Sequence, residues 1–163
     1  MTAYSAVAAA YMNAKLGALT AKSRMMDLMG QQTKLTEQVA YIGKLAENGR
    51  VEIRTDAKRQ VKEAEQKGQP ISMNDAEFTD YQVIGDEEFD FLSVNGDYDD
   101  AMGQVDDWKQ DLMADVAVEE NKIKQQLEQA NIEYSQFNSQ AEAWQAQLQA
   151  DEQEFHGSYG YTD

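Results

Sequence analysis

The chain of 163 residues has no cysteine, one proline and one histidine. Without cysteine there is no disulfide, no thiolate zinc site and no thiol nucleophile. This leaves the compartment undecided, since long helical proteins can do without disulfides anywhere. The lone histidine, His156, lies beside a glycine, and no Ser–His–Asp set is evident. There is no glycine-rich phosphate loop followed by lysine and no dinucleotide fingerprint. The acids fall in polar runs with nothing apolar around them to move a pKa. These absences predict a protein that is not an enzyme, with no catalytic residue, no cofactor and no metal. No apolar run is long enough to span a bilayer; the nearest, Ala3 to Met12, is short and rich in alanine. No basic start precedes that run, so no cleaved secretory signal is expected.

Positive charge is scarce in one half. Residues 1–69 carry 11 Lys/Arg against 7 Asp/Glu, whereas residues 70–163 carry 3 Lys against 23 Asp/Glu. The formal net charge is −16. An acidic C-terminal half disfavours nucleic acid, whose phosphates need clustered Lys and Arg, and disfavours an anionic membrane surface. Opposite signs suit packing of the N-terminal segment on the C-terminal one, within a molecule or between molecules.

What is present is periodicity. With a single proline, Pro70, long uninterrupted helices are favoured. Positions 4 to 53 alternate in steps of three and four through Tyr4, Val7, Tyr11, Ala14, Ala18, Ala21, Met25, Leu28, Gln32, Leu35, Val39, Ile42, Ala46, Gly49 and Ile53. This is a heptad seam. Gln32 is its polar residue, either fixing register or turning its amide to solvent. A second seam runs through Val105, Trp108, Leu112, Val116, Ile123, Leu127, Ala130, Tyr134, Phe137, Ala141, Trp144, Leu148 and Phe155, interrupted by Glu119 and Asp151. Its spacing is two eleven-residue repeats and then four heptads. A helix of that length would measure roughly 80 Å. Such a helix cannot bury its own stripe, so it needs a partner.

The predicted architecture is mainly all-α: a long antiparallel helical hairpin or coiled coil with a small irregular middle. Residues 1–67 form the first helix, with a candidate break at 48–50, where Asn48-Gly49 tolerates the left-handed cap conformation. Gly68-Gln69-Pro70 ends it. Residues 68–101 form a small head, with a short helix from Ser72 to about Val83, a short strand within Glu88–Val94 and a turn at Asn95-Gly96. Residues 102–155 form the second helix, with Asp97-Tyr98-Asp99-Asp100 as a good start. Asp97, Asp99, Asp100, Asp106 and Asp107 are read as a solvated helix start rather than a calcium site, because the spacing is not that of an EF-hand. Residues 156–163 are expected to be an extended tail. Tyr159 and Tyr161 either contact another surface or belong to an end without fixed order.

The alanine- and methionine-rich start (Ala8 to Met29), the polar middle ending in Asn95-Gly96-Asp97 and the long helix through Ile123, Leu127 and Phe137 resemble the plan of the EspA-like type III secretion filament proteins. The resemblance spans most of the chain and is one of layout and composition, without a signature motif. It implies terminal helices that form a coiled coil and subunits that polymerise into a hollow extracellular filament. Subunits of that family tend to end in an apolar helical segment, whereas this chain ends in acids, glycines and tyrosines.

The function expected on this basis is a structural subunit that self-assembles through its long helices. The self-association residues are Tyr11, Met25, Leu28, Leu35, Val39 and Ile42 on the first helix and Trp108, Leu112, Ile123, Leu127, Tyr134, Phe137, Trp144 and Leu148 on the second. The expected partner is the chain itself, with a secretion chaperone before export, and neither nucleic acid nor membrane insertion. The expected location is extracellular or at the cell surface by a route without a cleaved signal. The alternatives are a soluble helical-hairpin adaptor or secretion chaperone that binds a basic partner, with a cytoplasmic location, and a phage or virion structural subunit.

Overall fold

The structure, a computed structural model, describes the backbone of residues 3–160 and the side chains of residues 3–155. Helix α1 spans Ala3–Gln66 and helix α2 spans Tyr98–Gly160. Between them lie one 3₁₀ turn, Met73–Asp75, and two strands, β1 (Phe78–Val83) and β2 (Leu92–Gly96). In topology this is a helical hairpin with a short strand-containing middle region. Among the described residues no helix is long and apolar enough to cross a membrane.

The absence of proline before Pro70 lets α1 run unbroken. It ends in a Schellman motif: Gly68, at φ +74°, donates to Glu65 O (3.1 Å) and Gln69 donates to Ala64 O (2.9 Å). Helix α2 starts with a reciprocal cap. Asp97 Oδ1 accepts the Asp100 N–H (2.8 Å), and the Asp97 N–H donates to Asp100 Oδ2 (3.1 Å). Asp99 and Asp100 in its first turn also complement the helix dipole.

The chain divides into two compact units, Met1–Thr33 with Asn121–Asp163, and Lys34–Glu120. In the first unit the two helices pair antiparallel. Ala14, Ala18, Ala21 and Leu28 of α1 are buried, with Ile123, Ala130 and Ala141 of α2. Small residues dominate this seam, so the backbones can approach closely. The ring of Phe137 lies so near Gly17 that a Cβ there would meet its Cδ1 at 2.5 Å. Arg24 pairs with Glu133 at 3.5 Å, and Tyr4 donates to Glu152 at 3.4 Å, both at the rim.

The second unit has a fuller core. Leu45, Ala46, Ile53 and Ala57 of α1 pack with Ala76, Phe78, Val83, Ile84 and Val94 of the middle region and Ala101 and Val105 of α2. Strands β1 and β2 are antiparallel, with Tyr81 opposite Val94, Val83 opposite Leu92 and a bulge between Phe78 and Tyr81. At the bulge Asp80 takes φ +46°, and its N–H donates to Asn95 Oδ1 (2.8 Å). Gln104 ties β2 to α2 by accepting from Asn95 N–H (3.0 Å) and donating to Asn95 O (2.6 Å).

Four local expectations are corrected. Asn48-Gly49 does not break α1: Gly49 is buried mid-helix, where a Cβ would meet Ile84 Cγ1 at 2.8 Å. The glycine serves close approach rather than termination. The helix expected from Ser72 to Val83 shrinks to the turn Met73–Asp75. Phe78–Val83 is a strand because β2 offers it backbone partners and the core takes Phe78 and Val83. The strand expected within Glu88–Val94 lies at Leu92–Gly96, so Asn95-Gly96 closes β2 instead of turning a hairpin. His156 to Gly160 continue α2 rather than starting an extended tail. Tyr161 lies outside the described residues, and Tyr159 is described only as helical backbone.

Candidate functional site

The residues expected to carry self-association are seam positions, and the hairpin itself uses that seam. In the first unit Leu28 and Ile123 are buried, and Tyr11, Met25, Leu127, Tyr134, Phe137 and Leu148 are half-buried. Trp144 is the outlier, 39% exposed. In the second unit Ile42 is buried, and Leu35, Val39, Leu112 and Trp108 are half-buried. Trp108 packs edge-to-face on Phe89 (centroids 5.8 Å apart), which in turn leans on Tyr41 (6.1 Å). Tyr41 donates a hydrogen bond to Asp86, whose other oxygen accepts from Glu88 and Phe89 N–H at 2.8 Å each. Trp108 and Phe89 therefore belong to the packing of the middle region onto the helices. Gln32 is exposed.

A pairing of two helices covers each seam from one side only. Half-buried Met25, Leu127, Tyr134 and Phe137 are the consequence. A second feature is a different apolar line on α1. Met12, Leu16, Leu19 and Met26 are each between 57% and 65% exposed, and Met29 borders them. They follow their own three-and-four spacing, and the seam reading passes over them because it counts one register. Counting the second register would have found them. Around Met12 to Met29 the helix is apolar on two faces, while one paired helix covers one.

The polar groups are arranged for structure. Arg50 donates through Nε to Asp106 Oδ1 (3.0 Å) and pairs with Glu47 (3.3 Å). The Asp106 hydrogen bond raises its pKa, against partial desolvation. This pair lines an open depression of about 470 Å³ with Lys109, Gln110, Met113 and Ala114. Asp75 accepts the Ser72 N–H (3.0 Å) and the Ser72 hydroxyl (2.9 Å), and these bonds hold its carboxyl below the usual range. Burial, then the nearby Asp56 and Glu52 carboxylates, push the Tyr81 phenol up. Asp97 and Asp100 serve as the α2 cap and Asp106 pairs with Arg50. Among the described residues no group of three His, Asp or Glu side chains is placed to hold a metal ion. No buried polar side-chain atom among them lacks a hydrogen-bond partner.

No protein-family model, curated protein or solved structure matches the chain.

Proposed function

We propose that this chain is a structural subunit that associates with copies of itself through its long helices. The observation that carries the reading is the excess of apolar surface on α1 over what its one paired helix covers. Contiguous exposed apolar rows of this kind mark association surfaces. The lopsided charge supports it, because a basic N-terminal segment and an acidic C-terminal one give copies complementary faces. A contact between unlike faces grows into a polymer when it does not close into a ring. The layout resembles that of type III secretion filament subunits, and on that reading the assembled form is an extracellular filament, with a chaperone holding the subunit before export. The competing reading is a helical-hairpin adaptor for a basic partner, with the acidic α2 as its docking face.

Negative-stain electron microscopy and sedimentation over a concentration series separate the two. Uniform filaments or concentration-dependent growth are expected. A single small species at every concentration would refute self-assembly and favour the adaptor.

A further inference from the structure

We infer that the outward face of α1 in the first unit, centred on Leu16 and Leu19, is the surface on which α2 of a second copy of this chain docks. The inference rests on the self-assembly reading and assigns the contact to a face other than the intramolecular seam.

The face is a row, not scattered residues. Met12, Leu16, Leu19 and Met26 are spaced by four, three and seven, with Ser23 filling the gap, and Met29 lies beside them. At about 100° per residue, Leu16 stands roughly 140–160° and Leu19 roughly 100–160° around α1 from Ala14, Ala18 and Ala21. The α2 segment that buries those alanines leaves both leucines exposed, Leu16 at 57% and Leu19 at 62%. The row from Met12 to Met29 is roughly 25 Å long. Single exposed apolar side chains need no partner, but a continuous row does.

Charge selects the occupant. The 3–33 stretch of α1 carries Lys15, Lys22 and Arg24 against Asp27 alone. Lys15 precedes Leu19 by four residues and Lys22 precedes Met26 by four, so both flank the row. Pairing this face with the same face of another copy would bring these lysines together. An anionic lipid surface is disfavoured because two lysines attract it weakly and the acidic α2 of the same unit repels it. The complementary surface is α2 itself. Over 121–155 it carries Lys122 and Lys124 against Glu128, Glu133, Glu142, Asp151, Glu152 and Glu154. Its far side presents Ile132, 57% exposed, with Glu128 one turn before it and Ser135 and Ser139 after it. At about 100° per residue Ile132 points away from Ile123, Ala130 and Ala141. An exposed isoleucine bordered by small residues and a carboxylate suits leucines bordered by lysines. Because the two faces differ, each copy added leaves one face of each kind open.

The chain has no cysteine, so single-cysteine variants report contacts cleanly. A Leu19→Cys copy and an Ile132→Cys copy, differently tagged, are mixed and treated with a short bis-maleimide. Crosslinks between the two kinds of copy are expected; crosslinks only between like copies would overturn the assignment. In parallel, the Leu16→Gln/Leu19→Gln variant should keep its helical circular dichroism and associate about tenfold more weakly or worse than the wild type in sedimentation. Lys15→Glu/Lys22→Glu should also weaken association. If wild type associates and Leu16→Gln/Leu19→Gln associates equally well, the surface is wrong while self-assembly stands. If wild type stays a single species at all concentrations, both fall. Binding of wild type to phosphatidylserine vesicles, without self-association, would assign the face to a membrane instead.

Discussion

Replacing Gly49 with alanine should destabilise the protein, although alanine is the better helix former. In a helix interior Gly→Ala gains about 0.5–1 kcal/mol, chiefly from chain entropy. At Gly49 the new methyl would sit 2.8 Å from Ile84 Cγ1, 3.3 Å from Ile84 Cδ1 and 3.7 Å from Val105 Cγ2. The first contact is shorter than packed carbons allow. Ile84 has little room to withdraw, since it is buried and its backbone is held at φ +75°, a region β-branched residues avoid. Overpacking of this kind costs about 1–3 kcal/mol. The net expectation is a loss of about 1 kcal/mol, or about 2–4 °C in Tm for a chain of this size. The same helix supplies its own controls. A Cβ at Gly30 or Gly43 meets nothing within 4 Å, so Gly30→Ala and Gly43→Ala should each stabilise by about 0.5–1 kcal/mol. Thermal and urea unfolding followed by far-UV circular dichroism measure all three. In the Ile84→Ala background the penalty of Gly49→Ala should vanish, because the clashing atoms are gone. If Gly49→Ala stabilises as much as Gly43→Ala, the close approach of Ile84 to α1 is wrong.

Other perturbations follow from the same packing. Ile53 is fully buried in the second unit, so Ile53→Ala should cost about 2–5 kcal/mol in urea unfolding, and a loss under about 1 kcal/mol would contradict its place in the core. Leu127→Asp puts a charge on the half-buried seam of the first unit; it should lower Tm and abolish assembly, and unchanged behaviour in both would refute the seam. The Asp75 carboxyl titrates below ordinary aspartates in the fold because Ser72 donates to its charged form, so its stabilising effect is present above the unfolded aspartate pKa and is lost as pH falls through the lower folded value. A carboxyl NMR titration should place it below the ordinary aspartate value, Ser72→Ala should move it upward, and an Asp75 that titrates at the ordinary value would show that the Ser72 bonds do not form.

The seam was legible because it is a local property. Helix geometry repeats every 3.6 residues, so apolar spacing alone marks Ala14, Ala18, Ala21, Leu28, Ile42 and Ile53 on α1 and Val105, Val116, Ile123 and Ala130 on α2, all of them buried, although Tyr4, Trp144 and Phe155 on the same seams are exposed and Leu45 and Ala101 are buried off them. The end of α1 at Gly68 and the start of α2 at Asp97 were equally local, since each is set by a cap that spans a few residues. The middle region was not legible in this way. Phe78–Val83 starts after a genuine turn signal at Ser72–Asp75, but it becomes a strand only through backbone bonds to Leu92–Gly96, which no window around it contains. Asn48-Gly49 has the composition of a helix stop, and contact with Ile84 and Val105 makes it a packing site instead. The candidate association surface stands between these cases. Met12, Leu16, Leu19 and Met26 are a periodic row that the sequence contains openly. That they face outward depends on which of two apolar lines on α1 receives α2. Periodicity determines which residues share a face; contacts between residues more than a hundred positions apart, such as Gly17 with Phe137, decide which face is covered.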